Sequence, residues 1–242
     1  MPSSRNHLIR LLPPEDCKRL IAAGDSVPLV LTQVLCEPEA PTRHVYFPAE
    51  GFISLVAKVE GSAGVEVGMI GSEGMLGAQL SLDVLTAPLH ALVQGPGSAL
   101  RIETAAFRRE LALSPSLQRL LKRYVYVLMA QLANSAACQR FHLVNARLAR
   151  WLLMSADRAR AETFHVTQEF LAYMLGVRRV GVTTAAVALQ REGLIEYHRG
   201  EIHVLDREGL EKAACTCYAC DKRSYDALFG LQPAVDGPGG IY

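Results

Sequence analysis

Residues 167–204 decide the fold, and they read TQEFLAYMLGVRRVGVTTAAVALQREGLIEYHRGEIHV. Thr167 is a favourable N-cap for a short first helix, and Gly176 supplies the left-handed turn that ends it. A second helix follows, and the small and apolar positions of the pair allow a steep crossing around a small core. These positions are Leu171, Ala172, Leu175, Val177, Val182, Ala185, Ala186 and Leu189. The pattern predicts a helix-turn-helix, with a helical hairpin of purely structural role as the alternative.

The start of the second helix carries the side chains that fit DNA. A recognition helix presents its N-terminal residues to the major groove, where an arginine can donate two hydrogen bonds to guanine. We predict that Arg179 reads a base in this way. The remaining predicted DNA-binding residues are Thr167, Gln168, Arg178, Val180, Thr183 and Thr184, of which Arg178 and the last two threonines suit phosphates or neighbouring bases. Alternatively, the paired arginines only solubilise a turn.

The end of the quoted stretch predicts a wing. Residues 194–204 form two short β-prone runs around an Arg199-Gly200 turn. This places Arg199 where it can meet a DNA phosphate.

The pattern of residues 144–158, which precede this stretch, predicts a helix with one apolar face that includes Trp151, while Arg147, Arg150 and Arg158 point elsewhere.

A long helix precedes this region. Ser114 and Pro115 form a helix start, and residues 116–141 contain neither Gly nor Pro. Such a helix is roughly 38 Å long, which exceeds what a small β-domain can cover and favours pairing with a second subunit over a role as a core helix within one domain. The predicted dimer-interface residues are Leu117, Leu121, Tyr124, Leu128 and Gln131. Gln131 near the seam would help to fix the register.

The first half of the chain predicts an antiparallel β-domain. Short β-prone runs cover residues 27–31, 44–47, 52–59, 65–70 and 89–93. They are separated by expected turns at residues 37–38, 48–51, 61–64 and 96–97, and glycines 68, 71, 74 and 77 read as further turns. Many short strands at close spacing are typical of a sandwich or barrel. Thr104 is the expected cap of a helix that ends near Leu113.

The composition is that of an ordinary globular chain. Half of the 242 residues are apolar and a fifth are charged, which excludes disordered and fibrous classes. No run reaches the roughly 18 apolar residues of a membrane helix, and residues 1–10 lack the core of a signal peptide. We therefore expect a cytoplasmic protein without a membrane partner, whose six cysteines are mostly reduced.

The formal net charge of +1 hides an uneven distribution. Before Ser114 there are 9 Lys and Arg against 12 Asp and Glu, and from there on 16 against 12. A basic second half suits a nucleic-acid partner. Phosphate-binding GxxxxGK[ST], HExxH and GxSxG motifs are absent from the sequence, and its histidines form no recognisable set, so we expect no enzyme. A stand-alone ligand-binding or interaction module is the stronger rival.

With these residues in view, the chain resembles the Crp/Fnr family of bacterial transcription regulators over nearly its whole length. The matching segments are residues 46–48 with Gly51 and Ser54, residues 71–74, the long helix, residues 175–179 and residues 189–195. The resemblance implies an α+β protein with an N-terminal β-roll of cyclic-nucleotide-binding type, a long dimerisation helix and a C-terminal winged helix-turn-helix. It also implies a homodimer on a palindromic promoter site, and contact with RNA polymerase.

Four segments follow from this resemblance. They are an effector-type domain at residues 1–113, the dimerisation helix at 114–142, the winged helix-turn-helix at 143–223 and a Pro/Gly-rich tail at 224–242. We expect disorder in the last ten residues. Val180 and Thr184 depart from common family residues, which indicates a different DNA sequence.

The effector region departs further from the family. The resemblance places a pocket at Gly71, Glu73, Gly74 and Met75, where family members that bind cyclic nucleotides also use an arginine against the phosphate. No arginine lies between residues 43 and 101, and the only lysine there is Lys58. An anion without a fixed cation loses its strongest partner. We therefore expect no control by cyclic AMP, and the sequence leaves the effector unidentified.

A cysteine cluster lies near the C-terminus. Cys215, Cys217 and Cys220 fall within six residues, a density that could bind zinc, hold part of an iron–sulfur cluster or switch by oxidation. A fourth ligand is not evident locally, and Cys138 or His142 would have to come from elsewhere in the chain. The favoured interpretation is structural free cysteines, with no metal and no cofactor. A thiol-based redox or metal sensor is the alternative.

Overall fold

The computed structural model of this chain describes residues 5–58, 60 and 64–230. Within them, helices α1 (His7–Arg10) and α2 (Pro14–Ala22) precede an antiparallel sheet. The strands of this sheet are β1 (Asp25–Leu29), β2 (Val34–Cys36), β3 (His44–Ala57), β4 (Val65–Ile70) and β5 (His90–Glu103). Their order is β1-β5-β3-β4, with β2 also paired to β5. The predicted antiparallel β-domain is confirmed.

β3 and β5 are single long strands where the sequence indicated shorter ones separated by turns. The turns expected at residues 48–51 and 96–97 are wrong, because both segments stay in the sheet while the β3–β5 register shifts repeatedly within residues 48–53. Such bulges bend paired strands and let a sheet curl into a roll. At the bend Gly51 (φ +75°) lies so close to the Gly95 carbonyl that a Cβ would collide with it.

Two other local expectations for this half are wrong. Gly68 does not form a turn, because it lies inside β4 and pairs with Leu55 of β3. Thr104 does not cap the next helix through its side chain, because its hydroxyl donates a hydrogen bond to the Thr42 carbonyl at 2.5 Å. The expected turn at residues 61–64 lies largely outside the described residues.

Helices follow the sheet, as predicted. They are α3 (Thr104–Leu113), α4 (Pro115–Phe141) and α5 (Val144–Ala159). The Ser114 hydroxyl caps α4 by accepting a hydrogen bond from the Leu117 N–H at 3.0 Å. His142 and Leu143 separate α4 from α5, because both residues have extended rather than helical backbone conformations.

The C-terminal part alternates short helices and strands. Its elements are β6 (Thr163–His165), α6 (Gln168–Leu175), α7 (Arg179–Arg191), β7 (Ile195–His198), β8 (Glu201–Val204), α8 (Arg207–Ala213) and α9 (Cys217–Phe229). The strands form a separate sheet in the order β6-β8-β7. α9 crosses the boundary expected between residues 223 and 224, because it continues to Phe229, which is buried. The expected disorder of residues 233–242 lies outside the described residues.

The two halves of the molecule share one interior. The core of the C-terminal half, around Trp151, Leu171 and Leu189, continues directly onto Phe52 and Met69 of the β-domain. Burial of these apolar side chains from both halves stabilises their contact. The position of the helix-turn-helix relative to the sheet is therefore fixed by apolar contacts rather than by a linker.

Among the described residues, no single helix combines the length and the apolar character needed to cross a bilayer. The bent pair α6 and α7 meets those limits jointly, by length and composition alone.

Candidate nucleic-acid interface

α6 and α7 form the predicted helix-turn-helix. The two helices are bent by 107° relative to each other, and Gly176 adopts the left-handed conformation between them at φ +61°. Thr167 caps α6 by accepting a hydrogen bond from the Phe170 N–H at 3.2 Å. At the other end of α6 the Arg147 guanidinium donates a hydrogen bond to the Leu175 carbonyl. A side chain from outside the motif therefore also holds its turn in place.

The first residues of α7 face outward. Arg178, Arg179 and Val180 are exposed, and Val180 keeps 69% of its surface accessible. In the described part of the chain, neither guanidinium forms an ion pair or a side-chain hydrogen bond. Exposed cations next to an exposed apolar side chain, at the start of a recognition helix, match the chemistry of base edges in the major groove.

The two threonines of α7 use their hydroxyl groups inside the motif. Thr183 donates to the Gln168 side-chain oxygen at 2.7 Å, which links α7 to α6. Thr184 donates to the Val180 carbonyl at 3.0 Å within α7 itself. These contacts indicate that Thr183 and Gln168 brace the motif, so that the Thr183 oxygen as an acceptor and the Gln168 amide NH2 as a donor stay open to a ligand.

β7 and β8 form the predicted wing. Arg199 and Gly200 both have positive φ angles, +50° and +87°, as a two-residue hairpin turn of type I′ requires. The third strand, β6, was not indicated by any sequence signal; it pairs with β8 and extends the wing into a sheet. The Val166 N–H donates to the Gly200 carbonyl at 2.7 Å. Arg199 therefore stands exposed at the tip of a braced turn.

Most of the predicted dimer-interface residues lie inside the protomer. Leu117, Leu121, Tyr124 and Gln131 are buried against the β-domain, α9 or both, and Leu128 is half-buried. The four buried residues therefore do not face a second subunit in this arrangement. Sequence reasoning missed this because it assigned part of α9 to a tail.

The outward face of α4 is instead formed by other residues, three or four positions apart. Tyr126 and Met129 each keep 63% of their surface accessible. The small residues Ala133, Ala136 and Ala137 continue the same exposed face toward the end of the helix. Apolar residues at this spacing are typical of a helix that pairs with another helix.

The loop after β4 corresponds to the predicted effector pocket, and its polar groups pair within the protein. Glu73 accepts a hydrogen bond from the Gly71 N–H at 3.1 Å and lies 3.0 Å from the Arg158 Nε of α5. Arg160 donates to the Ser72 hydroxyl at 2.9 Å. Cations do reach this loop, but from more than 80 residues further along the chain. No local sequence signal could have indicated them.

The remaining pocket residues are covered by helices. A Cβ at Gly74 would collide with the Tyr124 hydroxyl of α4, and Met75 is fully buried. Tyr225 of α9 donates to the Glu73 carbonyl at 2.7 Å. The four predicted pocket residues thus contact the protein itself.

Two cavities adjoin this loop, and neither suits a phosphate. The first, of about 180 Å³, contains more carboxylates than cations. Its charged lining residues are Glu73, Asp157, Asp221, Asp226, Arg158 and Lys222. The second, of about 160 Å³, lies between the roll and α4 and is lined by apolar side chains with Gln79 and Cys36. In the first cavity a phosphate would meet a net negative charge, and in the second it would give up its hydration without any cation among the lining residues.

The cysteine cluster is assembled differently from the sequence expectation. Cys138, His142, Cys215 and Cys217 offer ligand atoms that all lie within 4.8 Å of one another. Cys220 is not part of this group, and its sulfur accepts a hydrogen bond from Arg223 at 3.0 Å. Hydrogen bonding from Cys138 lowers the pKa of the Cys215 thiol against the opposing effect of burial.

A β-roll, the long α4 and a winged helix-turn-helix follow one another along this chain. Residues 146–213 match the family described as the Crp-like helix-turn-helix domain. This part of the chain is therefore a Crp-like helix-turn-helix domain, and the resemblance to the Crp/Fnr family is confirmed.

Solved structures share the fold over most of the chain. CLP of Xanthomonas campestris, a c-di-GMP-responsive global regulator, is 17% identical with a TM-score of 0.63, covering 79% of this chain and 99% of its own. A CRP/FNR-family transcriptional regulator of Thermus thermophilus is 21% identical, with a TM-score of 0.64 and coverages of 78% and 98%. FixK2 of Bradyrhizobium japonicum is 14% identical with a TM-score of 0.62, covering 79% of this chain and 98% of its own. These likenesses confirm the predicted fold class. No curated protein is significantly similar to this chain.

Proposed function

We propose that this protein is a sequence-specific transcription regulator that binds a palindromic promoter site as a homodimer and is not controlled by cyclic AMP. The observation that carries the proposal is the outward-facing start of α7. Arg178, Arg179 and Val180 project from a Crp-like helix-turn-helix without neutralising partners among the described residues. Contact with RNA polymerase stays a prediction from the family resemblance.

Each exposed group of the interface has a matching group on DNA. Arg179 donates two hydrogen bonds to the O6 and N7 of a guanine, and Val180 contacts a neighbouring thymine methyl group. Arg178 and Arg199 bind phosphates on either side of the groove, which positions α7 without selecting a sequence. Thr167 and Gln168 at the start of α6 lie near the same backbone, while Thr183 and Thr184 hold the motif rigid.

Selection of duplexes from a random DNA library tests this function. We expect the wild-type protein to enrich a twofold-symmetric sequence with half-sites about one helical turn apart, because protein symmetry is copied into the operator. Enrichment of a single asymmetric site would contradict the homodimer. If no common sequence emerged, the protein would be a binding module of another kind and the proposal would be wrong.

The homodimer forms through the outward face of α4. Tyr126 and Met129 provide its apolar contacts, and Ala133, Ala136 and Ala137 let two helices approach closely. Tyr126, Met129 and Ala133 recur at the spacing of a helix-pairing seam. Two recognition helices related by this axis would then reach successive turns of one DNA face.

Met129→Glu should therefore give monomers that bind DNA poorly, because it places a charge in the apolar seam. Leu113→Glu is the matched control, since Leu113 is similarly exposed at 65% but lies on α3. Sedimentation at micromolar concentration distinguishes the two variants. A wild-type protein that sediments as a monomer and still binds DNA tightly would contradict the dimer.

Independence from cyclic AMP is supported by the region around Glu73. Its carboxylate already faces Arg158, and the adjoining cavities either carry excess carboxylates or lack charge. A regulator that moves from 1:99 to 99:1 between two states needs about 5.5 kcal/mol of differential ligand binding. Arg158 is already paired with Glu73, and carboxylates outnumber the remaining cation of the first cavity, Lys222, so a cyclic nucleotide has no strong contact there that could supply this difference.

A further inference from the structure

The end of α4 and the segment before α9 bring four metal-binding side chains together. Cys138 and His142 lie one helical turn apart at the C-terminal end of α4, and Cys215 and Cys217 flank Thr216, the N-cap of α9. The three cysteines are buried, and His142 is half-buried. Their ligand atoms all lie within 4.8 Å of one another.

We infer that Cys138, His142, Cys215 and Cys217 bind one Zn²⁺ ion in a tetrahedral site. Zinc in closed structural sites takes four ligands, and three cysteines with one histidine are a common set. Binding releases the thiol protons, because the ligands are thiolates and neutral imidazole. The inference goes beyond DNA binding and does not depend on it.

The interatomic distances suit this geometry. Zn–S bonds of about 2.3 Å and Zn–N bonds of about 2.0–2.1 Å give a tetrahedron with S···S edges of about 3.8 Å and S···N edges of about 3.5 Å. Cys138 Sγ lies 3.4 Å from Cys215 Sγ, and Cys217 Sγ lies 3.6 Å from His142 Nδ1. Small side-chain movements would place an ion at the common centre.

The surroundings compensate the charge of the site. Three thiolates and one Zn²⁺ leave a single negative charge, which needs a partner in a buried place. Arg150, whose side chain is 11% exposed, acts electrostatically on all three thiols. Its guanidinium also pairs with Asp221 of α9 at 2.6 Å, which holds it beside the cluster. Arg147, which forms no ion pair among the described residues, interacts electrostatically with Cys138 and Cys215 and supplies the balancing positive charge.

A zinc ion fits this group better than the alternatives. Iron–sulfur clusters are usually held by four cysteines, whereas here Cys220 stays outside the group and a histidine takes part. A Cys138–Cys215 disulfide would involve only two of the four converging side chains and would not explain why Cys217 and His142 also lie there. Thiolate and imidazole together match the ligand preference of zinc.

The site joins the dimer helix to the DNA-binding half at the point where the chain turns. His142 ends α4, and α5 begins only two residues later. The Cys215 N–H faces the Ala146 carbonyl at 3.4 Å, so the second pair of ligands is already seated on the start of α5. A bound ion would therefore fix the angle between α4 and the helix-turn-helix.

Metal analysis of the full-length protein tests the inference. The protein is expressed with added zinc and purified with a reductant and without chelators, and its zinc is measured by plasma mass spectrometry. We expect about one zinc per chain in the wild type and in the Cys220→Ser control. We expect loss of most of the zinc in Cys138→Ser, His142→Ala, Cys215→Ser and Cys217→Ser.

A second measurement protects the test against variants that fail to fold. Zinc is removed from the wild-type protein with a chelator, Co²⁺ is added, and the absorption of thiolate-to-cobalt charge transfer is followed. Tetrahedral bands that saturate at one cobalt per chain, and disappear when zinc is added back, would support the site. Circular dichroism before and after removal shows whether the chain is still folded.

Three results would overturn the inference. One is a folded wild-type protein that contains no zinc and develops no cobalt bands. Another is a disulfide between Cys138 and Cys215 in protein kept under reductant. The third is a Cys220→Ser variant that loses as much zinc as Cys215→Ser. None of these readouts involves DNA, so zinc binding can fail while the proposed function stands, and the reverse.

Discussion

The loop at residues 71–75 and the start of α7 differ in whether their charged side chains are paired within the protein. In the loop, Glu73 is turned inward and lies against Arg158. At the start of α7, Arg178 and Arg179 are turned outward and form no ion pair among the described residues. Paired charges at a domain contact contribute to structure, whereas exposed cations without partners stay available to a ligand. On this comparison we propose the start of α7 as the surface that binds another molecule.

The comparison predicts that charges in the two regions affect different measurements. Substitution of an inward charge should change the free energy of unfolding and leave DNA recognition unaltered. Substitution of an outward charge should do the reverse, because surface changes away from packed features usually shift stability by less than about 0.5 kcal/mol.

The largest expected effect is on the free energy of unfolding, at Glu66 of β4, the strand that leads into the loop; its carboxyl accepts a hydrogen bond from Ser54. Burial raises the pKa of Glu66 to about 7, against the hydrogen bond from Ser54 and the charges of Arg158 and Arg150. The native state thus keeps a proton that the unfolded chain loses above its ordinary pKa. The contribution of Glu66 to the free energy of unfolding is fully present below its ordinary pKa of 4.5 and is lost as the pH rises through about 7, by a free energy on the order of 3 kcal/mol.

Glu66→Gln should abolish this pH dependence and make the protein more stable than the wild type at pH 8. Urea unfolding at pH 5 and pH 8, at one protein concentration, measures the difference. DNA affinity measured at pH 7 serves as the control and should be nearly unchanged. Equal loss of stability with pH in both proteins would show that Glu66 is not the responsible group.

The next effect is on specificity, at Arg179. Arg179→Ala should lose about 1–3 kcal/mol of discrimination between the selected operator and a scrambled duplex, because one bidentate base contact is removed. Arg191→Ala is the matched control, since Arg191 is exposed at the far end of the same helix. Fluorescence anisotropy with both duplexes measures the ratio. If Arg179→Ala kept the wild-type ratio, the base contact would lie elsewhere.

A smaller effect, on DNA affinity irrespective of sequence, is expected at the wing. Arg199→Asn removes the charge while asparagine tolerates the positive φ of the turn. All duplexes should bind more weakly by a similar factor, and the slope of log K against log salt should fall by about one unit. A selective loss for one sequence would instead show that the wing reads bases.

Local interactions made the helix-turn-helix predictable from sequence. The Thr167 cap, the left-handed Gly176 and the Arg199-Gly200 turn each depend on neighbours a few residues away, so their residue types carry the signal. The turns expected at residues 48–51 and 96–97 failed for the complementary reason. There Pro and Gly lie in a bulge within a long strand, and whether such residues form a bulge or a turn depends on pairing with the neighbouring strand.

Long-range contacts explain what sequence could not predict. Arg158 meets Glu73, and Cys138 meets Cys215, across 85 and 77 positions in the chain. No periodicity links such residues. Burial of Leu121 likewise depends on the β-domain and α9 closing over α4. The sequence therefore predicted that α4 is long and apolar, but not which side faces a partner.

We propose that DNA binding resides in α7 and that the Glu73 region does not respond to cyclic AMP. The most direct test of this claim is anisotropy of the selected operator titrated with protein in the absence and presence of millimolar cyclic AMP, with calorimetry of the nucleotide alone. We expect tight, sequence-selective binding that the nucleotide leaves unchanged, and no heat of nucleotide binding. Micromolar cyclic AMP binding accompanied by a large gain in DNA affinity would contradict the claim.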